Sequence, residues 1–239
     1  MYVTVEDVIN YAGYEGVDFK SNGSDMSEAQ FRSYLETFAI PAVTGFINRY
    51  CNVKSFEAQA IVELRRGRGA TGDEYSAVHT TYQEDDRIYL FREYPVNAVT
   101  KVEIDRGGIT GTPLWSRLYE RSESDSGSYV VVEQTGLKFL YFTRDVPPRG
   151  YNSLRLTYTT GFPEGSDDLA TIRLAAVRLV TNILVHKKKM EEATTIRSYG
   201  LKDYSQMFDV FMESRLLTDE VRHILDRYRR PVTNVGLYE

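Results

Sequence analysis

Apolar residues recur at helical spacing at both ends of the chain and at every second position through its middle third. Thr4 stands in front of Val5, Val8, Ile9 and Ala12, which predicts a short capped first helix stopped by Gly13 and Gly16. Asn22-Gly23 is a turn signal. Ser27 with Gln30 three residues on marks the next helix start, and Phe31, Leu35, Phe38, Ala42 and Phe46 follow along one face. Pro41 interrupts that face, so the spacing predicts either a kink or a fresh helix from Ile40-Pro41 to about Tyr50.

From residue 60 the period changes to two. Segments 60–65, 87–92, 100–105, 128–133, 137–142 and 153–159 read as strands, and the alternation is cleanest at Val102/Ile104 and Leu154/Leu156/Tyr158, as a sheet with one wet face requires. The segment 145–150 contains two prolines and is a turn or edge, while Gly107-Gly108 and 122–127 read as exposed loops. Short strands joined by turns predict an antiparallel meander or small barrel.

The helical period then returns. Asp167 and Asp168 sit where a helix start favours negative charge, and His186 and Lys187 to Lys189 sit where its end favours positive charge. Between them Leu169, Ile172, Ala176, Leu179 and Ile183 step by three and four, widened by Val177, Val180 and Leu184. This long helix is expected to organise the core, with Arg173 and Arg178 on its opposite face for solvent or a partner to satisfy. Tyr204, Met207, Phe208, Phe211 and Met212 form another apolar face. Thr218 opens a last helix whose Val221, Ile224, Leu225 and Tyr228 can pack inward, and Pro231 stops it, leaving a tail to Glu239. The predicted class is α+β: a bundle of four to five helices with an inserted antiparallel β-module. Its expected divisions are 1–55, 56–162, 163–217 and a C-terminal helix and tail, 218–239.

Composition narrows the function. With 239 residues, 42% of them hydrophobic and 26% charged, the chain is ordinary for a folded, soluble protein. Its net charge of −5 gives it no overall electrostatic reason to wrap a nucleic acid. A single cysteine, Cys51, excludes an internal disulfide framework and reads as a buried small hydrophobe. The start lacks the regions of a signal peptide and no run of about 18 apolar residues could span a bilayer, so folding in a reducing cytoplasm is expected.

Candidate chemistry fails its own tests. Gly67 to Gly72 formally matches G-x-G-x-x-G, but Asp73-Glu74 follows where a phosphate-binding helix should start, and a hairpin tip is the better reading. Arg65, Arg66 and Arg68 among glycines could hold an acidic partner or a phosphate backbone, with plain solvation the favoured reading. His79, His186 and His223 fall in no metal-ligand spacing, and the acids 84–86 and 167–168 read as turn and cap residues. There is no P-loop and no nucleophile elbow. Trp115 reads as a core or sheet anchor. No enzyme, metal or cofactor is expected.

The order of these elements resembles the head-tail connector, or head-completion adaptor, family of tailed bacterial and archaeal viruses. The residues that carry the resemblance are the helix pair up to Tyr50, Glu93 to Val99 entering the strand to Asp105, and Leu156 to Phe162. The helix 168–189 and the ending Leu217 to Arg229 complete it. The resemblance implies a structural ring, typically of twelve copies, in the virion neck beneath the portal. There it extends the channel through which DNA passes without specific binding and meets the portal and a stopper or tail-completion protein, with no membrane involved. Mapped onto this chain, the portal-docking set is Thr218, Val221, Ile224, Leu225, Arg227, Tyr228, Arg229, Arg230, Leu237 and Tyr238. The contact between copies falls on Phe31, Arg32, Arg173, Arg178 and Lys187, and Arg65, Arg66 and Arg68 form an exposed contact loop. The chain departs from the pattern between Arg65 and Asp145, where it carries more strand and loop than a compact adaptor needs. A stopper or tail-terminator ring is the alternative; an enzyme or a nucleic-acid-binding module stands behind both.

Overall fold

Two reciprocal caps open the chain. Thr4 Oγ1 accepts from the Asp7 N–H (3.2 Å) while the Asp7 carboxylate accepts from the Thr4 N–H (2.8 Å), starting α1 (Val5–Ala12). The helix ends at Gly13, whose φ of +66° only glycine adopts cheaply. The computed structural model describes residues 1–21, 24–67, 87–107, 112–122, 127–134, 137–145, 147, 150–192 and 216–230. The Asn22-Gly23 turn, Arg68 and the loop to Gly72, His79, the acids 84–86, Gly108, residues 123–126, the face from Tyr204 to Met212, and Leu237 and Tyr238 lie outside the described residues.

A small ladder, β1 (Lys20–Ser21) with β2 (Ser24–Asp25), precedes the second cap. Ser27 Oγ accepts from the Gln30 N–H (3.3 Å) and Gln30 returns its side-chain oxygen to the Ser27 N–H (2.9 Å), starting α2 (Glu28–Tyr34). A new α-helical segment begins at Ile40-Pro41, as the spacing predicts, without the chain leaving helical conformation. The chain widens into a π-helical turn over Leu35–Ala39, with the Ile40 N–H bonded to the Leu35 carbonyl, and continues as α3 (Ile40–Cys51). The wider turn accommodates the missing proline donor and the ring's clash with the preceding turn.

Ser166 starts α4 (Asp167–Glu192) by accepting from the Leu169 N–H (3.3 Å), with Asp167 and Asp168 in the first turn and Lys189 in the last. Its stripe of Leu169, Ile172, Ala176, Leu179 and Ile183 is buried, as are Ala175, Val177, Val180 and Leu184. α1, α3 and a last helix, α5 (Asp219–Tyr228), all pack against it. Thr218 caps α5 by accepting from the Val221 N–H (3.4 Å). These helices form one of two compact units, Met1–Lys54 with Glu164–Arg229; the second is Ser55–Pro163 together with the segment from Arg230.

The second unit is built from two open antiparallel sheets. One, in the order β3-β9-β5-β6, comprises β3 (Gln59–Gly67), β9 (Gly150–Thr160), β5 (Val96–Asp105) and β6 (Trp115–Leu118). The other, in the order β4-β8-β7, comprises β4 (Ile88–Leu90), β8 (Leu137–Phe142) and β7 (Tyr129–Gln134). The expected α+β class with an inserted antiparallel β-module holds, but not in barrel form: β9, last in sequence, inserts between β3 and β5, and among the described residues the sheets do not close. Register places Leu156 opposite both Glu63 and Val102, and Leu154 opposite Arg65 and Ile104. Paired side chains share a face, so Leu154, Leu156 and Tyr158 bury one side against Val102, Ile104, Tyr89, Leu140 and Phe142. β6 went unrecognised in the sequence because four residues offer too short an alternation.

Gly161 ends β9 at φ +76°, with its N–H on the Pro95 carbonyl (2.9 Å). The next N–H, of Phe162, bonds the Phe56 carbonyl (2.7 Å), and the two phenyl rings stack at 5.9 Å. A Cβ on Gly161 would stand 2.2 Å from the Glu57 carbonyl oxygen. Backbone approach and left-handed conformation both demand glycine here. Gly161→Ala is expected to lower the stability of the β-unit by roughly 1–3 kcal/mol through backbone strain, and further through the overlap. Denaturant unfolding checks this, and an unchanged midpoint would contradict it.

Candidate assembly surfaces

On the helical unit every cation expected to meet a neighbouring copy already has a partner in its own chain. Arg173 holds Glu164 in a fork (2.6 and 2.8 Å), and Arg178 is paired with Glu220 of α5 and hydrogen-bonded to Tyr11 of α1. Arg32 bridges Glu6 (2.6 Å) and Glu28 (2.9 Å), and Lys187 pairs with Glu191 while its ammonium lies 5.4 Å from the Tyr34 ring centre. Arg173 and Arg178 each therefore have an acidic partner within their own chain. The Arg32 and Arg173 pairs are half-exposed, so each is worth little to stability.

Phe31 leaves the set. It is 1% exposed and stacks on Phe19 at 5.1 Å, because the face it shares with Leu35 closes the core. The C-terminal helix likewise buries part of the set expected to dock. Val221, Leu225 and Tyr228 are buried, the Tyr228 hydroxyl donates to Asp168 (2.7 Å), and the Cys51 thiol donates to the Leu225 carbonyl (3.6 Å). The 3.6-residue repeat turns these side chains into the bundle and leaves Thr218, Arg227 and Arg229 exposed, with Ile224 half-buried. Tyr50 ties the helix down from the other side. Its hydroxyl donates to Asp226 (2.7 Å), Arg229 lies over its ring, and burial with the Asp226 bond pushes its pKa up to about 12.

In the β-unit Arg65 and Arg66 belong to β3 and not to a loop. The register turns Arg65 inward, where it pairs with the buried Glu63 and donates to the Leu90 carbonyl (2.7 Å). Arg65 is therefore a structural residue, while Arg66 is exposed. Glu63 also accepts from the Tyr158 hydroxyl (2.5 Å) and the Arg92 N–H (3.3 Å). Arg230 donates to the Phe91 and Arg92 carbonyls (3.1 and 2.8 Å) and the Glu93 N–H bonds the Tyr158 hydroxyl (3.5 Å), so the chain from the end of β4 at Leu90 to Glu93 is held by side chains at four successive residues. This polar network was invisible to periodicity because it depends on which strand lies beside which.

The opposite face of the larger sheet carries a second buried carboxylate. Glu103 accepts from Arg155 (2.7 Å) and pairs with Lys101 (2.7 Å), and the Arg155 guanidinium lies 4.3 Å from the Trp115 ring centre. The Arg155 bond, with help from Lys101, holds the Glu103 pKa below the usual carboxylate range. Trp115 anchors the sheet as expected.

Reactive arrangements are scarce among the described residues. No three His, Cys, Asp or Glu side chains are grouped to hold a metal ion. A shallow cleft beside Phe91, Tyr94 and Lys138 has a volume of about 10 Å³, room for roughly one water. Burial pushes the Cys51 thiol up to about 12, which keeps it protonated and unreactive at neutral pH.

No protein-family model matches the chain, and no curated protein matches it. The solved structures that contain similar chains include the following two. One is the neck of an empty GTA particle computed with C6 symmetry, where the similarity covers 98% of this chain and 93% of that one at 13% identity and a TM-score of 0.45. The other is the virion of a native gene transfer agent (GTA) particle, with the same coverages, 12% identity and a TM-score of 0.43. Likenesses this distant carry no function over to this chain.

Because the folded state holds Glu103 ionised more tightly than the unfolded chain does, the unfolded state binds more protons as pH falls past about 4.3. The stability of the β-unit is expected to be level above about pH 5 and to drop as pH descends through the depressed Glu103 value. Glu103→Gln should lower stability at neutral pH and flatten this acid limb. Thermal unfolding from pH 7 to pH 3 reads the effect, and superimposable profiles would contradict it.

Proposed function

We propose that the chain is a structural adaptor of a tailed-virus neck, forming a ring beneath the portal that extends the DNA channel and joins head to tail. The observation that carries this reading is the order of elements. A helix pair, an inserted antiparallel unit, a strand ending at Gly161, a long central helix and a short C-terminal helix follow one another as the resemblance requires. A second observation supports it. The titratable groups with strong partners are engaged in ion pairs and hydrogen bonds that hold the fold, which is how a protein that works through its surfaces is expected to use them. No enzymatic role is proposed. An acidic chain suits a channel wall along which DNA must slide, since each cationic contact with a phosphate would slow it.

The partners in this reading are further copies in a ring, with twelve as the family expectation, the portal, and a stopper or tail-completion protein. DNA passes through without specific binding. The site of action is the virion neck, after synthesis in the host cytoplasm. The alternative stopper or terminator reading requires a barrel with little helix. Here the described helices alone cover more than a fifth of the chain, which favours the adaptor.

The portal-facing element is reassigned to the exposed residues of α5, Thr218, Arg227 and Arg229, and to the segment beyond Arg230, with Leu237 and Tyr238 as its apolar contacts. Truncation after Arg230 is expected to spare the helical unit and abolish portal docking. Truncation before Thr218 removes three buried side chains, each worth about 2–5 kcal/mol, and should unfold that unit. Circular dichroism with portal pull-down separates the two, and a tail-truncated protein that docks normally refutes the assignment. The purified protein is expected to be a monomer or a mixture by mass and to form a ring when portal is added. A stable dimer indifferent to portal would sink the proposal.

A further inference from the structure

The helical unit supplies acids of its own chain to most cations of α2 and α4. Arg32 meets Glu6 and Glu28, and Arg173, Arg178, Lys187 and Lys188 each meet a carboxylate. α5 differs. Arg222, Arg227 and the C-cap residue Arg229 are exposed, and none of the three forms an ion pair among the described residues. Spacing alone would allow pairing, because Asp219 and Asp226 lie one turn either side of Arg222. Asp226 instead accepts from the Tyr50 hydroxyl (2.7 Å). Residues 222–229 therefore carry three arginines against one acid in a chain whose net charge is −5. Attraction to the helix C-terminus accounts for Arg227 and Arg229, but Arg222 stands in the first half of the helix, where the dipole gives a cation no gain.

We infer that Arg222, Arg227 and Arg229 are the residues with which α5 grips a carboxylate-bearing protein surface. The guanidinium of Arg229 lies 5.4 Å from the Tyr50 ring centre, and that of Arg227 lies 5.7 Å from the Tyr228 ring centre. Stacking occupies the flat face of a guanidinium and leaves its in-plane N–H fork for the two oxygens of a carboxylate. A phosphate backbone offers similar oxygens, but the pattern along the helix favours a protein. Steps of three and four put Asp219, Arg222, Asp226 and Arg229 in one exposed row of alternating sign. A uniformly anionic strand meets repulsion at every second position of that row, whereas a protein surface can set an acid against each arginine and a donor against each aspartate. The inference rests on the proposed neck role, in which the portal meets this side of α5, and it names the chemistry of that contact.

Portal binding by the full chain, followed as salt is raised from about 50 to about 300 mM, tests it. The wild type should bind several-fold more weakly at the higher salt. Arg222→Gln combined with Arg227→Gln changes two exposed positions outside the core. This double variant should bind about tenfold more weakly at low salt and lose most of the salt dependence, while circular dichroism stays the same. Arg222→Lys combined with Arg227→Lys should restore the salt dependence and part of the affinity, because the charge returns without the fork. Portal binding indifferent both to salt and to the glutamine changes overturns the inference and leaves the adaptor role standing. Duplex DNA bound by the wild type and released by the glutamine variant, with portal binding unchanged, overturns it in favour of phosphate. A wild type that binds no portal at any salt sinks the adaptor role, and the inference falls with it.

Discussion

Burial of α4 on three sides at once is the constraint on which the helical unit depends. Its apolar positions step by three and four and widen into Val177, Val180 and Leu184, a band too broad for a single neighbour. α1, α3 and α5 share it. The polar groups at its margins then fall into place as clasps between those helices: Asp168 to Tyr228, Arg178 to Glu220 and Tyr11, and the Asn182 amide to the Leu216 carbonyl. The same demand turns the C-terminal helix from a detachable arm into part of the core. The exposed side of α5 remains available to a partner, but the helix cannot leave without opening the bundle.

The β-unit is governed by a different economy. A core shared by two open sheets is supplemented by two buried carboxylates, one on each face of the larger sheet. Glu63 and Glu103 cost desolvation, offset by guanidinium groups and a tyrosine hydroxyl within hydrogen-bond reach. Removing one partner leaves a buried charge, so each network fixes strand register as well as stabilising it. Glu63 extends this to the segment after β4, whose backbone groups from Leu90 to Glu93 are bonded by side chains of β3 and β9 and by Arg230.

How much was legible in the sequence follows from which features are local. The Ser27/Gln30 cap, the turn from helical to alternating period, and the whole of α4 were legible because they depend on residues three or four apart. Pro41 signalled a disturbance and the π-helical turn is its form. Strand order was not legible, since nothing in a strand's own alternation says that the last strand enters the middle of the sheet. The surroundings of single residues were hidden for the same reason. Phe31, Val221, Leu225 and Tyr228 look like contact residues until the opposing helix is placed, and Arg65 looks like a loop cation until register turns it toward Glu63. Arg173 and Arg178 found acids nine residues back and on another helix, distances at which sequence spacing carries no signal.

The proposed ring-forming adaptor role is tested most directly by a low-resolution electron-microscopy image of the chain bound to its portal. A closed ring of this chain is expected, coaxial with the portal and on the side from which the tail departs, with a central opening wide enough for duplex DNA. Isolated copies scattered on the portal surface, or a closed two-fold dimer with no axial opening, would contradict it.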